Sequence, residues 1–167
     1  ATSADGAESD YVADMDGDGD LDIVSASFRD DTIAWYENDG AADPTWTAAD
    51  IATSADYARD AFVADMDGDG DLDIVSASGQ DDTIAWYEND GAANPTWTAS
   101  DITTSADSAL SVYVADMDGD GDLDAIVGNV GGANELLVFQ HCGEGARSKQ
   151  LARKVTASAE PITSHTP

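Results

Sequence analysis

Apolar residues in the first fifty positions fall in short runs separated by polar turns. Tyr11-Val12-Ala13 runs into a nine-residue segment built mainly of Asp and Gly. Leu21 to Ser27 then alternates, with Leu21, Ile23 and Ser25 on one face and Asp22, Val24 and Ala26 on the other, which is the period of a β-strand. After Arg29-Asp30-Asp31, the run Thr32 to Glu37 is rich in β-branched and aromatic residues. Asn38-Asp39-Gly40 supplies residues that tolerate positive φ, and Trp46 to Ile51, after Pro44, reads as a fourth strand. No segment carries a helical apolar period long enough to compete. The pattern predicts an all-β chain.

The same pattern recurs. Ala-Thr-Ser-Ala-Asp stands at 1–5 and 52–56, and Thr-Thr-Ser-Ala-Asp at 103–107, a period of 51 residues. Residues 11–61 and 62–112 are identical at 41 of 51 positions, far beyond what shared composition produces. The third copy decays after Asp124 but can be followed through a one-residue insertion, which sets Leu137-Val138-Phe139-Gln140 against Ala34-Trp35-Tyr36-Glu37. Four short strands in each tandem unit are the dimensions of a propeller blade. The expected units are therefore 1–51, 52–102 and 103–153, with 154–167 a tail or a worn repeat end. Three blades make an incomplete ring. Because Ala1 falls inside what later copies show to be a connector, the chain is expected to belong to a longer array.

Charge changes the picture next. Against 35 acidic residues stand 6 basic ones, for a net charge of −29. Nucleic acid is disfavoured, since a phosphate backbone needs a basic stripe to displace its counterions, and Arg147, Lys149, Arg153 and Lys154 are the only cluster. An anionic membrane surface is disfavoured on the same ground. No apolar run approaches the ~20 residues of a membrane span, and Ala1 to Asp10 lack the features of a signal peptide. A hydrophobic content of 42% supports a folded rather than a disordered acidic chain. The lone Cys142 cannot form an internal disulfide and reads as a small hydrophobe.

The acidity is not evenly spread. Fifteen of the Asp residues lie in three identical runs, Asp-Met-Asp-Gly-Asp-Gly-Asp-Leu-Asp, beginning at Asp14, Asp65 and Asp116. Two carboxylates ~4 Å apart repel by roughly 4 kcal/mol at an effective dielectric near 20, so a compact loop holding several would open or protonate unless a cation sat among them. Hard oxygen donors in this number suit Ca²⁺, and the glycines let the backbone curl around it. Asp14, Asp16, Asp18 and Asp22 are the expected side-chain ligands, with the Asp20 carbonyl as backbone ligand. The same roles fall on Asp65, Asp67, Asp69, Asp71 and Asp73, and on Asp116, Asp118, Asp120, Asp122 and Asp124. An EF-hand would need a bidentate Glu at the twelfth position, where Ser25, Ser76 and Val127 stand, and flanking helices. A solvated, salt-adapted acidic surface is the alternative, although it gives no reason for the repeated register.

Hydrophobic strand, D-x-D-x-D-G-x-x-D, hydrophobic strand, at a spacing near fifty, resembles the FG-GAP and VCBS repeats of integrin alpha-chain-like β-propellers. The resemblance covers 1–143 well and 144–167 poorly. It implies four-stranded antiparallel blades, Ca²⁺ in the loop between the first and second strands, a ring that usually has seven blades, and an extracellular or cell-surface setting. The literal Phe-Gly and Gly-Ala-Pro signatures are missing, which counts against an integrin-specific role.

Three functions follow for weighing. The first is a non-catalytic, calcium-stabilised module for extracellular adhesion or protein recognition, with function on blade-connecting loops such as Ala55 to Asp60. The second is glycan binding through Trp35, Tyr36, Trp46, Trp86, Tyr87 and Trp97, although aromatics repeated in each blade are more simply core, and Trp35 and Trp86 have Val138 as their third counterpart. The third is an accessory part of a secreted enzyme. His141 and His165 lie in no catalytic or metal-binding spacing, and carboxylates repeated in every unit do not make a unique active site. The chain itself is expected not to be an enzyme. Its partners are then a protein or glycan ligand and further blades, or copies of itself, with Leu136, Leu137, Val138 and Phe139 expected to form an exposed apolar end.

Overall fold

The structure, a computed structural model, describes residues 4–129, 136–140 and 151–154. His141, Cys142, Arg147, Lys149, His165 and the tail from 155 lie outside the described residues. Strands β1 (Ala7–Ala13), β2 (Asp22–Ser27), β3 (Thr32–Asn38) and β4 (Trp46–Ala52) pair antiparallel in the order β1-β2-β3-β4. The next sheet repeats the meander with β5 (Ala58–Ala64), β6 (Asp73–Ser78), β7 (Thr83–Asn89) and β8 (Trp97–Thr103). A third sheet holds β9 (Ala109–Ala115), β10 (Asp124–Asn129), β11 (Leu136–Gln140) and β12 (Leu151–Lys154). No helix occurs among the described residues. The chain is all-β, with three tandem four-stranded blades.

Each expected strand forms, with one extension. The first strand begins at Ala7 rather than Tyr11, because Ala7 to Asp10 finds partners in Ser27 to Ser25 across a register shift. Register also settles the alignment of the decayed third repeat. Trp35 pairs with Val24 and Trp86 with Val75, while Val138 pairs with Ile126. Val138 thus occupies the tryptophan position, one inserted residue along. The turn residues behave as their chemistry requires: Asp31 and Asp82 hold φ of 54° and 57°, and Gly40 holds 65°.

Two apolar clusters hold the blades together, one at each blade junction. Met15, Val24, Ala26, Ile33 and Trp35 of the first blade pack on Ala58, Ala61, Val63, Ile74 and Tyr87 of the second. Met66, Val75, Ala77 and Ile84 then pack on Ala109, Val112, Val114, Val127 and Phe139 of the third. Each blade therefore has a leading face, which meets the next blade, and a trailing face, which meets the one before. Burial at equivalent positions follows this order. On the leading face Met15 and Met66 are 2% and 5% exposed, but Met117 is 55% exposed. On the trailing face Val63 and Val114 are 5% and 6% exposed, but Val12 is 56% exposed. Identical residues differ only in whether a neighbouring blade covers them. Burying one such side chain stabilises by about 1.5–3 kcal/mol.

The innermost strands β1, β5 and β9 lie side by side. Their aromatics form a column, Tyr11 against Phe62 at 5.3 Å and Phe62 against Tyr113 at 4.9 Å between ring centroids. The repeated aromatics of the outer strands serve packing to different degrees: Trp35 and Tyr87 are buried, Tyr36, Trp86 and Trp97 are partly buried, and Trp46 is exposed. Of the expected apolar end, only Leu136 is exposed. Val138 and Phe139 are buried, and this corrects the expectation: Phe139 lies on the trailing face and packs into the junction with the second blade.

Candidate metal centre

Each Asp-rich run forms the loop between the first and second strands of its blade, β1–β2, β5–β6 and β9–β10. The glycines make the curl possible. Gly17 and Gly19 hold φ of 75° and 97°, with nothing near the place where a Cβ would stand. Within the curl, side chains cap the backbone that follows them. Asp16 Oδ1 accepts the Asp18 N–H at 3.2 Å, Asp18 Oδ1 accepts the Asp20 N–H at 2.8 Å, and Asp14 Oδ2 accepts the Gly19 N–H at 3.0 Å. The second loop repeats these bonds from Asp67, Asp69 and Asp65, and the third from Asp118, Asp120 and Asp116.

This arrangement brings carboxylates together. One oxygen from each of Asp14, Asp16 and Asp18 lies within 4.8 Å of the others, as do oxygens of Asp65, Asp67 and Asp69 and of Asp116, Asp118 and Asp120. The electrostatic consequence is clear in the carboxyl groups themselves. Desolvation, joined by the charges of Asp18, Asp22 and Asp14, raises the Asp16 carboxyl above 3.8. Asp67 is raised by desolvation and by Asp69 and Asp65, and Asp118 by desolvation and by Asp120 and Asp124. A divalent cation among these oxygens would remove the repulsion. The donor set fits such an ion: it consists of hard carboxylate oxygens, and Asp14 Oδ1 is buried without a hydrogen-bond partner among the described residues.

The remaining two members of each run do different work. Asp22, Asp73 and Asp124 are buried at the start of β2, β6 and β10. Asp22 Oδ2 accepts the Met15 N–H at 3.1 Å, while Oδ1 accepts the Asn38 N–H at 2.9 Å, so one carboxylate ties the loop to the end of β3. Asp73 does the same with Met66 and Asn89, at 3.0 and 2.8 Å, and Asp124 receives Met117 N–H at 2.9 Å. Burial pushes the Asp73 carboxyl up to about 6, against the pull of the Asn89 and Met66 N–H groups. Asp20 and Asp71 turn their carboxylates toward Gly40 and Gly91 of the turn after the third strand, where any Cβ would collide with them.

Sequence reading missed the residues that hold the loop from the other side. Asn38 Nδ2 donates to the Leu21 carbonyl at 3.0 Å, and its Oδ1 accepts Gly40 N–H at 3.1 Å. Asn89 makes the equivalent bonds to Leu72 and Gly91. Asn-Asp-Gly reads as a turn on its own; that the turn grips the Asp-rich loop sixteen residues earlier needed the fold. The available signal was that the same tripeptide follows two Asp runs at the same distance.

The family model of the FG-GAP-like repeat matches the chain twice, over residues 14–76 and 65–127, each match running from one Asp loop past the next. None of the curated proteins compared matches the chain.

Proposed function

The chain belongs to the FG-GAP-like repeat family, and on that premise we propose that it is a non-catalytic, calcium-stabilised β-propeller repeat module used outside the cell for adhesion or protein recognition. The convergence of three carboxylates in each of three identical loops is the observation that carries this reading. Asp14, Asp16, Asp18 and Asp22 would hold the first ion with the Asp20 carbonyl, and the runs beginning at Asp65 and Asp116 would hold the second and third. The ion supplies charge neutralisation and fixes the loop that joins two strands. Occupancy at ten times Kd would add about 1.4 kcal/mol per site, and millimolar extracellular Ca²⁺ suits loops of this kind. Recognition then belongs to the loops between blades rather than to the ions.

Glycan binding has less support, because Trp35 and Tyr87 are buried at the junction between the first two blades and cannot stack on a sugar. Thermal melts with Ca²⁺, with Mg²⁺ and with chelator, all at high ionic strength, test the calcium reading. High salt screens general repulsion, so the expected rise with Ca²⁺ alone reports the sites. Three superimposable melts would refute it and favour a salt-adapted acidic surface.

A further inference from the structure

The first two repeats differ at ten of their 51 aligned positions, and four of the ten meet at one place. Phe28 and Arg29 give way to Gly79 and Gln80, and Tyr57 and Arg59 to Ser108 and Leu110. The backbone there is copied. Asp31 Oδ1 accepts the Tyr57 N–H at 2.9 Å across the first junction, and Asp82 Oδ1 accepts the Ser108 N–H at 2.8 Å across the second. Tyr57 and Ser108 hold φ of 59° and 52°. The side chains are not copied. In the first junction Phe28 stands edge-on to Tyr57, with ring centroids 4.3 Å apart and the Arg59 guanidinium 4.1 Å above the Phe28 ring. In the second junction the corresponding place is an open pocket of about 390 Å³, lined by the four replacing residues together with Tyr57, Arg59 and Asp82.

We propose that this pocket receives an aromatic side chain of a partner polypeptide, flanked there by basic residues; the proposal rests on reading the chain as a recognition module. The first junction is the template, because an aromatic ring fills the equivalent place within the chain itself. The walls suit a ring, since Tyr57 and Leu110 are both exposed and offer an aromatic and an aliphatic surface. Gly79 keeps the pocket open: a Cβ there would stand 3.0 Å from the Ala109 carbonyl, so the close approach of the third blade requires glycine. Charge selects what flanks the ring. Arg59 Nη1 is committed to Glu8, at 3.0 and 2.9 Å from its two carboxylate oxygens, so Asp82 sets the sign of the pocket on a chain of net charge −29. Basic neighbours of the ring complement both.

NMR titration of the ¹⁵N-labelled full chain in millimolar Ca²⁺ tests the proposal, with the capped tripeptides Lys-Phe-Lys and Lys-Ala-Lys and with N-acetylglucosamine as probes. Lys-Phe-Lys is expected to give saturable shifts of the Gly79, Gln80, Ser108 and Leu110 amides, and Lys-Ala-Lys to bind about tenfold more weakly or worse. Ser108→Tyr places in the pocket the residue of the first junction, at a φ that Tyr57 already adopts, and is expected to abolish the shifts. Leu110→Asn, at an exposed position, removes one wall and is expected to weaken binding severalfold. The proposal falls if Lys-Phe-Lys gives no saturable shift, if Lys-Ala-Lys binds equally, if N-acetylglucosamine binds more tightly, or if both variants bind as the unaltered chain does. Ser108 and Leu110 lie outside the Asp-rich loops, so a negative titration on protein whose melting still responds to Ca²⁺ overturns the pocket alone and leaves the calcium-stabilised module standing.

Discussion

The side-chain amide of Asn89 donates to the backbone carbonyl of Met15 at 3.0 Å, joining residues 74 apart in sequence and in different blades. Its second proton goes to the Leu72 carbonyl at 3.1 Å, so one buried side chain links its own Asp-rich loop to that of the preceding blade. Among the described residues, the Asn38 side chain bonds only within its own blade, to Leu21 and Gly40. Replacing Asn89 by Ala is expected to cost about 1–2 kcal/mol more than replacing Asn38, because it orphans a buried carbonyl at the junction. Urea unfolding of the two variants measures the difference, and equal costs would contradict the linkage.

Gly40 holds positive φ and has the Asp20 carboxylate where a Cβ would go. Gly40→Ala should destabilise by about 1–3 kcal/mol, from left-handed strain plus collision. Asp20→Ala removes the collision but not the strain, so the double variant should recover part of the loss. A double-mutant cycle with no coupling would sink this account.

The fold was largely legible because the strand signal is local and stated nearly three times over. The clustering of the Asp runs was legible for the same reason: Asp and Gly alternate within nine residues, and the glycines let the loop curl its carboxylates together. What could not be read was pairwise. Asp22 as a staple to Asn38 depends on which strand returns beside the loop. The burial of Val138 and Phe139 depends on what covers each face of a sheet, which no run of apolar residues reveals by itself.

Acidity is expected to act in opposite directions on chelated protein and on protein supplied with Ca²⁺. Burial raises Asp73 to about 6, above its unfolded value of 3.8, so its contribution is fully present below 3.8 and lost as pH rises through 6. Chelated protein should therefore melt higher at about pH 5 than at about pH 7.5. With saturating Ca²⁺ the order should reverse, since protons compete with the ion for the same oxygens. A chelated protein whose melting temperature climbs with pH over this window would refute the assignment. Asp73→Asn should flatten the apo trend.

In the turns after the third strands, the opposite shift occurs. The Thr45 hydroxyl, 2.5 Å from Asp39 Oδ2, holds the Asp39 carboxyl below 3.8, helped by the Thr45 and Ala41 N–H groups; Thr96 and Ala92 do the same for Asp90. A lowered value means that this contact stabilises above pH 3.8 and is lost as pH falls through the folded-state pKa. Thr45→Val should raise the Asp39 pKa, read from carboxyl carbon shifts by NMR. An unmoved titration would show that the hydroxyl is not the cause.

Asp60 accepts from Ser9 of the first blade at one oxygen and from Val112 of the third at the other. Blades in a linear array ordinarily feel only their immediate neighbours, so disturbance at one end decays along it. A single carboxylate engaged on both sides makes the middle blade a rigid relay: loosening either flank frees the same side chain and so weakens its hold on the other. The array is then built to fail together rather than to peel apart blade by blade.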